Sequence, residues 1–91
     1  MDDVWKAVQN DNAGDLEKVL MQFPNLIDTP DKYGRTPMYA AASRGYVSVI
    51  ETLVRLGSTV IDTPANYDWT PMYIAAENGH VSVIETLVRL G

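Results

Sequence analysis

No cysteine occurs among the 91 residues. Disulfides, thiol nucleophiles and thiolate metal sites are therefore excluded, and the chain suits a reducing compartment. His80 is the sole histidine, which falls short of the clustered ligands a metal centre needs. Basic residues are scarce as well. Seven Lys and Arg stand against twelve Asp and Glu, a formal charge of −5, and this opposes electrostatic binding of nucleic acid or of an anionic membrane surface. No apolar run approaches the roughly 18 residues that span a bilayer. The acidic, amphipathic start MDDVWKAVQND lacks the character of a signal peptide. There is no glycine-rich phosphate loop, and Ser43 and Ser48 have no neighbouring base in sequence. These absences lead us to expect no enzyme activity, no cofactor, no metal site, no nucleic-acid or membrane partner, and an intracellular, cytoplasmic setting.

What is present is repetition. The stretch VSVIETLVRLG stands at 47–57 and returns unchanged at 81–91, a shift of 34. The same shift carries Asp28-Thr29-Pro30 onto Asp62-Thr63-Pro64 and Thr36-Pro37-Met38-Tyr39 onto Thr70-Pro71-Met72-Tyr73. Between 28–57 and 62–91, 22 of 30 positions are identical, so the match extends well beyond one peptide. A fainter copy precedes them. Trp5 falls under Tyr39 and Tyr73, Ala7 under Ala41 and Ala75, and Glu17 under Glu51 and Glu85. A period in this range marks a stack of small supersecondary units. The divisions are one unit over about 1–27, a second over 28–61 and a third over 62–91.

Within the middle unit, Thr36-Pro37 reads as a helix start, with Thr as N-cap and Pro at the first helical position, where its missing N–H costs nothing. Met38, Ala41 and Ala42 share one face of a short helix that Gly45 ends in a left-handed conformation. A longer helix follows. Val47, Val49, Ile50, Leu53, Val54 and Leu56 form its apolar stripe, and Ser48, Glu51, Thr52 and Arg55 take most of the other side. In the first unit, Asp2 stands where Thr36 would be, as its expected N-cap. Helices this short are not stable alone. Each must bury its stripe against the next copy, which defines a solenoid.

These residues resemble an ankyrin repeat array. Gly34-Arg35-Thr36-Pro37-Met38-Tyr39-Ala40-Ala41-Ala42 is similar to that family's G-x-T-P-L-H-x-A-A signature, and Gly45-Tyr46-Val47 and Gly79-His80-Val81 are similar to its G-H-L. The resemblance covers the whole chain. It implies an all-α, ankyrin-type helix-turn-helix solenoid with short β-turn or hairpin loops, and a non-catalytic protein–protein interaction module. Three departures stand out. Tyr39, Tyr73 and Trp5 replace the signature histidine, suggesting an aromatic substitute for its polar stitch. Gly34 becomes Asp68 in the third unit. The period is one residue longer than the family's commonest.

Of the eight differences between the two near-identical units, four lie in the turn before the short helix and three on one face of that helix; the eighth is Tyr46/His80. In the family this strip forms the concave surface that contacts partners. The resemblance therefore implies a partner-binding strip of Lys32, Tyr33, Arg35, Ala40, Ser43 and Arg44. It is continued by Asn66, Tyr67, Trp69, Ile74, Glu77 and Asn78, and extended into the first unit by Lys6, Gln9 and Asn10. Trp69, beside Tyr67, is the sharpest anchor candidate, whereas Trp5 and the pair Met38/Met72 are expected to pack.

The third unit has no separate polar cap. Ile84, Leu87 and Val88 should then lack an intramolecular partner and support weak homo-oligomerisation. A fragment or minimal array of that kind is one expectation. A purely structural repeat segment, or a truncated or engineered scaffold that self-associates, is the alternative to partner binding.

Overall fold

The computed structural model describes residues 2–58 and 70–90, leaving the side chain of Asp2 aside. Among these residues, six α-helices pair off in chain order: α1 (Asp2–Gln9) with α2 (Ala13–Gln22), α3 (Pro37–Arg44) with α4 (Val47–Arg55), and α5 (Pro71–Glu77) with α6 (Val81–Leu90). A single 3-10 turn, Pro24–Leu26, follows α2, and no strand occurs among the described residues. The fold is an all-α solenoid. Each helix packs on its own partner and on the same helix of the adjoining unit, so α1, α3 and α5 form one layer and α2, α4 and α6 the other. Among the described residues, the helices of the first and third units share no substantial contact.

Local chemistry sets the helix ends. The Thr36 hydroxyl accepts the Tyr39 N–H at 3.2 Å and the Thr70 hydroxyl accepts that of Tyr73 at 3.1 Å. Pro follows each cap at the first helical position. Asn12 caps α2 in the same way, its Oδ1 accepting the Asp15 N–H at 3.0 Å. Such a cap is worth about 1 kcal/mol. Left-handed residues break each unit at the same register. Gly45 has φ 79° and Gly79 φ 75°, and the first unit puts Asp11 there at φ 53°. A non-glycine residue is uncommon in that region, but Asp is one of the types that tolerate it.

The core is continuous through all three units. Val8, Leu16, Met38, Ala41, Val49, Ile50, Leu53, Ala75 and Val83 are fully buried within it. Each large aliphatic among them contributes about 1.5–3 kcal/mol through burial. Small residues at 41, 42 and 75 let α3 and α5 lie close together. Thr52, assigned from the pattern to the outer side of its helix, is in fact buried, as is its copy Thr86. The Thr86 hydroxyl donates to the Ser82 carbonyl at 2.7 Å, so a polar residue on the inner face keeps its hydrogen bond.

Candidate protein-interaction surface

The turn ahead of α3 is built on one carboxylate. Asp31 Oδ1 accepts the backbone N–H groups of Tyr33 (2.8 Å) and Arg35 (2.9 Å), and its Oδ2 accepts Arg35 Nε at 3.0 Å. Arg35 Nη2 completes a forked ion pair at 3.0 Å. The guanidinium also lies 4.9 Å from the centre of the Tyr33 ring, and Lys32 Nζ lies 5.1 Å from it. Burial pushes the Asp31 carboxyl up. The two backbone N–H groups and the Arg35 side chain together outweigh that, and hold it below the usual carboxylate value. Tyr39, buried beneath the turn's helix, has its phenol pushed up by desolvation and eased slightly by Arg35.

This turn and α3 form one wall of an open cleft of about 550 Å³. Lys32, Tyr33, Arg35, Ala40, Ser43 and Arg44, the entire strip expected in the middle unit, line it together. Trp5 and Gln9 of α1 face them, with Val4, Leu26 and Tyr39 forming an apolar floor. Trp5, expected to pack, is half-buried and lines the cleft. Lys6 and Asn10 are not among the lining residues. The cleft carries three cations, Lys32, Arg35 and Arg44, against one acid, Asp31.

The third unit differs from expectation. Asn66, Tyr67 and Trp69 lie outside the described residues. Ile74 is 6% exposed and belongs to the core rather than to an open strip. Its repeat mate Ala40 is half-buried, and the larger branched side chain at 74 fills the seam between the packed helices. Glu77 and Asn78 are exposed, but Asn78 Nδ2 is already used: it donates to the Ser43 carbonyl at 2.9 Å and to the Ser43 hydroxyl at 3.3 Å. The same carbonyl lies 3.0 Å from His80 Nε2 and accepts its proton. In the preceding pair of units, the Tyr46 hydroxyl donates to the Gln9 carbonyl at 3.4 Å. The residue just after the left-handed position thus stitches each unit to the one before it. Positions 43, 78 and 80 vary between units and still meet each other inside the molecule.

At the far face, Val88 is 68% exposed, Ile84 is half-buried and packs against the core, and Leu87 is only 2% exposed. Leu87 faces the core and is not available for self-association. Among the described residues, no group of His, Asp and Glu is placed to hold a metal ion, and no helix is long and apolar enough to cross a membrane.

A family model for ankyrin repeats, in three copies, matches residues 4–91. Over 57 residues the chain is 35% identical to the serine/threonine-protein kinase VIK of Arabidopsis thaliana. The match takes in 63% of this chain and 13% of the kinase, so the chain spans only a small part of that relative's length.

Proposed function

Since the chain belongs to the ankyrin repeat family, whose members are generally protein–protein interaction modules, we propose that it binds a protein partner through the cleft between α1 and the turn preceding α3. One observation carries this reading: five positions that vary between the near-identical units, Lys32, Arg35, Ala40, Ser43 and Arg44, line a single cleft together with Tyr33. Tyr33, about half exposed, supplies an aromatic side chain of the kind that anchors interfaces. We read the module as non-catalytic. The lone imidazole is engaged by the Ser43 carbonyl, and the kinase relative is matched over too little of its length for its activity to transfer. The test is affinity capture with the wild type beside the double variant Tyr33→Ala/Arg44→Ala. Loss of specific partners with an unchanged melting temperature is expected. An identical set of partners would contradict the reading.

A second reading, weak self-association through the open face of the third unit, is favoured by the exposure of Val81 and Val88. Sedimentation velocity over a tenfold concentration range tests it. A sedimentation coefficient that does not change with concentration would remove it.

A further inference from the structure

We infer that the cleft selects an acidic segment of its protein partner, one that sets an apolar side chain on the floor and carboxylates beside Lys32 and Arg44. The inference rests on the reading of this cleft as a protein-binding surface and goes further by naming the chemistry of the segment bound.

The argument is one of local against global charge. The whole chain is at −5, so at long range it repels an acidic partner. At physiological ionic strength, however, exposed charges are screened beyond about 8 Å, and what a docked segment feels is the lining. Three of the chain's seven cations line this one cleft, against a single acid. That acid is spent, because both Asp31 oxygens are taken by the N–H groups of Tyr33 and Arg35 and by the Arg35 side chain. Arg44 and Lys32 have no carboxylate partner among the described residues, while Arg55 and Arg89 are paired with Glu17 and Glu51 on the other helix layer. The remaining surface is apolar: Val4, Leu26 and Tyr39 at the base, Trp5 along the side. An apolar side chain flanked by carboxylates satisfies both parts. A basic segment would meet uncompensated like charge.

The probe is a phage-displayed library of random dodecapeptides, selected on the intact chain. Selected peptides are then measured by fluorescence anisotropy against wild type and against Lys32→Gln and Arg44→Gln, each variant checked by thermal melting. Peptides with an apolar residue between Asp or Glu are expected. Each cation removed should weaken them roughly two- to fivefold, and raising the salt should weaken wild-type binding in the same direction. Enrichment of neutral or basic peptides that still lose affinity in Tyr33→Ala would overturn the inference and leave the interaction-module reading standing. Recovery of no binder, or only of binders indifferent to every cleft variant, would overturn both.

Discussion

Helices α4 and α6 are written with the same letters, VSVIETLVR, yet they are not equally buried. Val49 and Leu53 are buried in α4 and their copies Val83 and Leu87 are buried in α6, because that face meets the helix's own unit and the one before it. The opposite flank differs. Ile50 is fully buried and Ile84 half-buried, Val54 half-buried and Val88 exposed. The paired short helices repeat the contrast: Tyr39 is 9% exposed and Tyr73 46%. Identical sequence with unequal burial separates what a unit gives itself from what its neighbour gives it. In this fold the flank of Val81, Ile84 and Val88, the copies of Val47, Ile50 and Val54, is less covered than where a following unit packs on it.

Matched substitutions break or sharpen that comparison. The largest effect is expected at the isoleucines. Ile50→Ala should cost about 2–5 kcal/mol, and Ile84→Ala about half of that or less, since less area and a smaller cavity are involved. Urea denaturation of both variants checks it, and equal losses would show that the flanks are equivalent after all.

The glycines come next. Gly45 and Gly79 both need the left-handed region, and an alanine there costs about 1–2 kcal/mol. A Cβ at Gly45 would also lie 2.8 Å from His80 Nδ1, whereas at Gly79 it would meet nothing within 4 Å. Gly45→Ala should therefore be the more destabilising of the two. The excess should vanish in a His80→Ala background, and a persistent excess would exclude the ring as its cause.

Ion pairs provide a smaller contrast. Arg55 pairs with Glu17 and Arg89 with Glu51, each time an arginine of one unit reaching the glutamate of the unit before it. Glu85 is the next glutamate in that series. A double-mutant cycle on Glu51 and Arg89 should give below about 1 kcal/mol, as exposed pairs do. Glu85→Gln should change stability by less than the Glu51→Gln replacement, and the reverse order would argue against the series.

The smallest effect is in the turn of the second unit. Asp31 titrates below its ordinary value in the folded chain. Its contribution is then present above the unfolded carboxylate value, near 3.9, and is lost as pH falls through the lower folded value. Acid titration of Asp31→Asn should show a shallower fall in melting temperature below about pH 4 than the wild type. Superimposable acid limbs would remove Asp31 from the account.

Features governed by adjacent residues were legible in the sequence. Thr36 and Thr70 cap as their Thr-Pro pairs imply, and Gly45 takes the left-handed turn because no side chain obstructs it. The repeat spacing gave the paired helices and their stacking on the neighbouring copy. Burial that depends on a neighbour was not legible. Leu87 and Val88 are adjacent and both apolar, and only the positions of α4 and α5 decide that the first is covered and the second open. Ile74 was misplaced for a related reason: a varied position reads as a free one, yet a larger residue can vary and still fill a seam. Asn78 and His80 show the same thing with polar atoms, since both changed between units and both are bound to Ser43. The convergence of Lys32, Tyr33, Arg35 and Arg44 on one cleft was anticipated, but the opposing wall of Trp5 and Leu26 was not, because no pattern in one unit reveals what the previous unit sets against it.

The dependence of one unit on the next is tested most directly by appending a further copy of 58–91 to the chain and remeasuring Ile84→Ala by urea denaturation. With a neighbour in place, its cost should rise to that of Ile50→Ala in the original chain. An unchanged, smaller cost in a folded, extended chain would contradict the account.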